Sequence, residues 1–536
     1  MGKIGLSGVG WMLALTGIAA CALALRIPCL DQRPMHGDEA NQAVRAGILL
    51  ETGTYHYDPT DHHGPVLYFA ALPFCRMTAE TFAETTEWNY RLVPVCFSVL
   101  TLLLMLGLGR TRDGGLFENR IGLFCSLLFT ALSPAMAYYN RFFIQETMLV
   151  TFLTGMLVCG RLYVYARSGT EATKEDVTLS STGAAWYSIG FGMFAGLAAA
   201  TKETVVLSFF AMLVAAVAAF GWRGLRATWN MRHAALAIGS AAVVAVVLFS
   251  SFFTYPKGVY EALVSTVPAY LSRATTVAEH QHPWWFYLKI IFWFKYGHSP
   301  VWSEAGLLVP VLLAAVEAVW PRRRDAEASR RACFVRFVLV YTLVLTALYS
   351  AIPYKTPWCM LSFLHGYILL AGVGIGVFAE WLYRQTLPIS RVAGLTAVAV
   401  LVGGLACRQA RMAGRACFTW AADPRNPFVY AHTGPDAMNL VASVEEAARK
   451  EQGYGTLIAV AVPTPDTWPL PWYLRKYTRV GYWTRVEQIP ETVKPAIVIV
   501  AANQGDVADK RFGQGKRSSF YGIRPGVLLN VFVPIP

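Results

Sequence analysis

Asp38 and Glu39 stand side by side in MHGDEANQAV, residues 35–44. A carboxylate acts as a general base when its surroundings lift its pKa toward the working pH, so that it can take the proton of an attacking hydroxyl. If a helix opens at Gly37, neighbouring side chains diverge by ~100°, and the two carboxylates cannot address one substrate atom. One acts and the other braces. The structural alternative for Asp38 is a helix N-cap, which satisfies free backbone N–H groups. Ala40, Val44, Gly47, Ile48 and Glu51 share a mostly apolar stripe. That stripe predicts an amphipathic helix lying along a membrane surface.

Other charged groups stand in short polar breaks. Arg141 and Glu146 lie in YYNRFFIQE (138–146), Lys202 and Glu203 in AATKET (199–204), and Lys355 in YKTPW (354–358). The arginine fork and the compact lysine charge both suit a phosphate; an interfacial anchor is the competing role for each. The run TYHYDPTDHHGPVLY (54–68) adds Tyr57, Asp58 and His63 as candidates for substrate contact. Its density of His and Asp suits a metal, but no HExxH spacing is present. A divalent metal stays open, with Asp38, Glu146 and His63 as its ligands, and no other cofactor is expected.

These residues must be positioned by apolar elements. Of 536 residues 55% are hydrophobic and only 15% charged, against roughly 25% charged in soluble domains. Long apolar runs predict about eleven membrane-spanning helices, the first near 8–28 and the last near 391–408. The first run is read as a retained helix. Alternate loops carry Arg110, Arg112 and Arg120; Arg223, Arg226 and Arg232; Arg322, Arg323, Arg324, Arg330 and Arg331; and Arg384 and Arg391. Such loops belong in the cytoplasm, and eleven spans put all of them on one side. The net charge of +13 is therefore an orienting charge, with the bilayer and no nucleic acid as partner. Loop 29–89, the other polar breaks and the whole tail fall on the exoplasmic side. The ten cysteines form no CxxC pair and are read as small buried apolar residues.

The fold class is thus an all-α polytopic membrane domain, residues 1–408, followed by a small exoplasmic α/β domain, 409–536. In the tail a helical run, Ala437 to Lys450, precedes the strand-like stretches LIAVAV (457–462) and AIVIVAAN (496–503).

At GDEA (37–40), ETGTYHYDPTDHHGPVLYF (51–69), RFFIQE (141–146), ATKE (200–203), YKTPW (354–358), YAHTGPD (430–436) and PLPWYLRKY (469–477), the chain resembles the GT-C membrane glycosyltransferases. Within them it is similar to the branch of protein O-mannosyltransferases and the lipid A aminoarabinose transferase. It is also similar to a prokaryotic flippase-activity-associated family of N-glycosylation gene clusters. The resemblance implies transfer of a sugar from a polyprenyl-phosphate donor to an acceptor on the outer face of the cytoplasmic membrane, with inversion. Asp38 would be the general base and Glu39 the brace, while Arg141, Lys202 and Lys355 neutralise the leaving phosphate. Aminoarabinose transferases carry an arginine three residues after the aspartate; here Asn41 stands there, and Arg45, one turn on, would replace it. Glu146 stands where relatives often have Asp. The family label also admits a non-catalytic accessory or transport protein for lipid-linked sugars. Transporters usually show an internal repeat with broken helices, and none is evident.

Overall fold

The computed structural model describes residues 8–61, 63–109, 115–167, 174–266, 268, 269, 272, 280–321, 326–385 and 387–535, with backbone alone at 174–181, 326, 327 and 388. His62, Arg110, Arg112 and Arg322 to Arg324 lie outside the described residues.

Helices occupy all eleven runs expected to span the membrane. The helices are Gly8–Arg26, Glu87–Leu106, Arg120–Leu132, Glu146–Arg167, Lys174–Ala199, Val205–Thr228, Met231–Phe249, Leu308–Val319, Ala326–Ala351, Leu361–Tyr383 and Pro388–Gly414. Among the described residues eight helices are long and apolar enough to cross a membrane. Arg120–Leu132 and Ala305–Val319 are apolar but shorter, and so is Val66–Arg76, which was not expected. The apolar run that begins at Arg120 is interrupted: Ser133 caps a second helix, Pro134–Tyr139, by accepting from the Met136 N–H at 3.3 Å. Proline at the first helical position has no N–H to lose there.

Contacts divide the chain into two compact units. One holds residues 8–28, 56–67 and 92–420; the other holds 29–55, 68–91 and 421–536. In the first unit Leu361–Tyr383 is the central helix, with 94% of its apolar span buried. Small residues let its neighbours approach closely, as where Gly122 meets Gly372 and Gly376. Four cysteines expected to be buried are exposed: Cys21, Cys29, Cys96 and Cys407. Three of them sit on membrane-length helices, where an outward face meets lipid and costs an apolar side chain nothing.

The second unit contains a five-stranded sheet. Its strands are β1 (Ile458–Ala461), β2 (Val480–Trp483), β3 (Ile497–Ala501), β4 (Lys516–Arg524) and β5 (Val527–Pro534), in the order β2-β1-β3-β5-β4. β1 runs parallel to both β2 and β3, and β5 is antiparallel to β3 and β4. One face packs Ile458, Val460, Ile497, Ile499 and Val531 against Leu440 and Val444 of the helix Asp436–Lys450. The other face buries Val498, Val500 and Phe532 against Val486, Ile489 and Ala508. Central strands covered on both faces read as continuous apolar runs, which is why β1 and β3 were legible.

Candidate functional site

The helix Gly37–Thr52 begins at His36, not at Asp38. The His36 ring accepts the Asp38 backbone N–H at Nδ1 (3.0 Å), and its Nε2 faces the Tyr430 carbonyl at 3.0 Å. This pairing needs a bare Nδ1 and the proton on Nε2. Asp38 is therefore not an N-cap. Its carboxylate is 55% exposed, with His36 Nδ1 3.9 Å away, beyond hydrogen-bond length.

Glu39 points the other way and is fully buried. It accepts from Arg33 Nη2 at 2.7 Å, from Arg91 Nε at 2.9 Å and Nη2 at 3.0 Å, and from the His36 backbone N–H at 3.1 Å. Burial by itself would raise its pKa. The two guanidiniums and the N–H outweigh that and hold the carboxyl well below the ordinary range. Arg91 also donates to the Arg33 carbonyl at 2.8 Å, so one side chain ties the segment before the helix to the helix.

The buried face of this helix differs from the expected stripe. It consists of Glu39, Ala40, Gln42, Ala43, Ala46, Gly47 and Leu49, while Ile48 is 43% exposed. Glu39 in its arginine socket sets the rotation, and small residues then face the protein. Gly47 lies so close to the Phe82 ring that a Cβ there would run into it. Arg45, two turns beyond Asp38 on the same helix, is half-buried.

The tail motifs hold this helix start in place. Met35 donates its N–H to the Tyr473 hydroxyl at 2.8 Å, and Thr433 Oγ1 donates to the Met35 carbonyl at 2.6 Å. The His432 ring packs on His36 at 5.0 Å between centroids. Trp472 Nε1 donates to Glu87 at 3.0 Å, and the Arg475 guanidinium lies 3.6 Å over the Trp472 ring. Two segments expected to belong to a separate domain thus position GDEA.

In the first unit the other candidates form a second polar group. Lys202 pairs with Glu146, both buried. Burial would lower the Lys202 pKa, but the neighbouring Cys359 and Glu146 more than reverse this and raise it. Glu146 Oε2 has no hydrogen-bond partner among the described residues. Glu203, the next residue, accepts from Tyr57 at 3.1 Å and meets His63 Nδ1 at 2.9 Å; the Tyr57 hydroxyl also meets Thr266 at 3.0 Å. Asp58 turns back on its own loop and accepts from Thr60. Glu203 joins two of the candidates from 54–68, a link that its position beside Lys202 did not disclose.

Gly64 is what lets that loop dock. The Val66 N–H donates to the Ala200 carbonyl at 3.1 Å, and a Cβ on Gly64 would collide with the same carbonyl. Gly64→Ala is expected to part His63 from Glu203 and cost about 1–3 kcal/mol by overpacking. Gly239→Ala, in open space, is the matched control. Thermal unfolding of both variants in detergent checks this; equal stability of the two would remove the docking role of Gly64.

Arg141 and Lys355 have backbone partners. Arg141 Nη1 donates to the Leu25 and Arg26 carbonyls at 3.2 and 3.0 Å, at the end of helix Gly8–Arg26, and its guanidinium lies 4.9 Å over the Phe418 ring. Lys355 Nζ donates to the carbonyls of His282 and Ile352, and burial lowers its pKa. Among the described residues no three His, Cys, Asp or Glu side chains are grouped to hold a metal ion. Glu146 is instead opposite Lys202, and His63 opposite Glu203.

No protein-family model matches the chain, and no curated protein matches it. Solved structures do. ArnT from Cupriavidus metallidurans bound to undecaprenyl phosphate is 14% identical, with a TM-score of 0.64 over 98% of each chain. Archaeal oligosaccharyltransferase AglB from Archaeoglobus fulgidus, in complex with an inhibitory peptide and a dolichol-phosphate, is 11% identical, with a TM-score of 0.54 over 97% of this chain and 74% of that one. The chain therefore has the GT-C fold of membrane glycosyltransferases and is a multi-pass membrane protein.

Proposed function

We propose that the protein is a glycosyltransferase that moves a sugar from a polyprenyl-phosphate donor to an acceptor, with inversion at the anomeric carbon and Asp38 as general base. The observation that carries this reading is the asymmetry of the carboxylate pair. Glu39 is consumed by Arg33, Arg91 and the His36 N–H, while Asp38, held by the same helix start, keeps an exposed carboxylate. The fold is shared over nearly full length with proteins captured with undecaprenyl phosphate or dolichol-phosphate.

In this mechanism the acceptor hydroxyl loses its proton to Asp38 as its oxygen attacks the sugar. The carrier phosphate leaves from the opposite face, which inverts the centre. Lys202, with Glu146 setting its position, supplies positive charge for the negative charge that develops on the phosphate. Arg141, Lys355 and Arg45 are its proposed helpers. Tyr57, Asp58 and His63 shape the donor loop, with Glu203 as anchor.

The test is purified wild-type protein supplied with polyprenyl-phosphate sugars, the transferred sugar being measured. Failure with every donor, together with movement of lipid-linked sugar in vesicles, supports the accessory or transport reading instead. The same reading sets the membrane sides. A cysteine introduced at the exposed Lys450 is expected to be labelled from the outer face and one at Arg330 from the cytoplasm; the reverse pattern overturns the orientation.

A further inference from the structure

In the first unit five helices line a half-open cavity of about 870 Å³, within the range of ~300–1,000 Å³ usual for small-molecule sites. Phe191, Phe209, Met212 and Phe337 are among its walls, and Arg226, Asn230 and His233 stand together at one end. Among the described residues that line it there is no Asp or Glu. An apolar chamber lined in part by cationic and hydrogen-bonding groups suits an amphiphile with an anionic head.

The polar end has two further marks of a binding site. His233 is 7% exposed, yet its Nδ1 has no hydrogen-bond partner among the described residues. Its ring is held edge-on to Tyr163 at 5.6 Å, Tyr163 is fixed by donating to the Thr228 carbonyl at 2.9 Å, and Arg167 bears on the His233 ring electrostatically. A buried ring nitrogen left bare beside cations costs free energy unless something meets it. Second, Gly221 (φ 64°) breaks the axis of Val205–Thr228, and the turn beyond it brings Trp222 and Arg226 to the cavity. Tryptophan with arginine is the composition of a membrane–water interface.

We propose that this cavity binds an anionic glycerophospholipid, an acyl chain within the aromatic walls and the phosphate against Arg226, Asn230 and His233. The lipid is distinct from any held near Lys202. Lys202 precedes this helix and Arg226 ends it. Val205 to Gly221 alone spans about 25 Å at 1.5 Å per residue, most of a hydrocarbon core of ~30 Å. With the donor phosphate near Lys202, as proposed above, this phosphate belongs to the opposite leaflet.

The experiment uses the full chain in detergent, titrated with mixed micelles of phosphatidylglycerol or phosphatidylcholine. Bound lipid is counted by native mass spectrometry, and thermal unfolding is followed. Phosphatidylglycerol is expected to bind one to one and to raise the unfolding temperature more than phosphatidylcholine does. Arg226→Gln is expected to bind it about fivefold more weakly, with Arg223→Gln, which does not line the cavity, unchanged. Ala216→Phe fills the chamber and is expected to abolish binding. Equal binding of the two lipids, an unaltered affinity in Arg226→Gln, or polyprenyl phosphate displacing the phospholipid overturns the proposal. Should Ala216→Phe fail to fold, the two arginine variants decide alone.

Discussion

On the proposed mechanism, Asp38→Asn is expected to lower transfer from a polyprenyl-phosphate sugar by roughly 10²–10⁴-fold, the usual contribution of a positioned general base, while the fold stays intact. The two halves of this expectation rest on different observations. The loss follows because an amide accepts no proton from the attacking hydroxyl. The intact fold follows because the Asp38 carboxylate makes no hydrogen bond among the described residues and is half-exposed. The cap it shares with His36 runs through its backbone N–H, which asparagine keeps. What asparagine gives up is a favourable charge near a helix N-terminus, worth about 0.3–1 kcal/mol. Donor affinity should therefore hold while turnover collapses. Transfer by Asp38→Asn at the wild-type rate would remove Asp38 from the mechanism.

How far the sequence alone reaches is visible in this one helix. Two adjacent carboxylates at a helix start must diverge, so a division of labour between Asp38 and Glu39 could be argued from geometry. The partners could not. Arg91 meets Glu39 across 52 positions of chain, and only the tertiary fold brings it there. His36 was overlooked as the cap because Ser, Thr, Asp and Asn lead at that position. An imidazole nitrogen does the same job here only because Tyr430 engages the other nitrogen. The tail motifs YAHTGPD and PLPWYLRKY were legible as motifs, but that Thr433 and Tyr473 grip Met35 was not. The membrane helices were the clearest part, since each needs only its own run of apolar residues to satisfy its backbone. In the tail, β2 and β4 are edge strands with half-exposed, mixed residues, and their signal was correspondingly weak. β5, whose centre is buried, has its apolar run broken by Asn530.

Glu39→Gln should do the reverse of Asp38→Asn: it should unsettle the fold before it touches the chemistry. Glutamine keeps the volume but removes the charge that neutralises Arg33 and Arg91, both buried. Removing one partner of a buried ion pair costs about 3–5 kcal/mol, because an uncompensated charge is left behind. Arg91 also donates to the carbonyls of Leu30 and Arg33, so its displacement would loosen the segment that leads to Asp38. Chemical denaturation in detergent and limited proteolysis of residues 29–55 measure this. Acid supplies a second reading. The Glu39 carboxyl is held well below its ordinary range in the folded protein. Its stabilising contribution is therefore complete above the ordinary carboxylate pKa of about 4.3. It is lost as the pH falls below that value toward the folded-state pKa. Wild-type protein should weaken over that acidic window, and Glu39→Gln, which has no such proton to bind, should lack that part of the loss. If Glu39→Gln matched wild type in stability yet lost transfer, Glu39 would itself be acting on substrate, and the division between an acting and a bracing carboxylate would have to be redrawn.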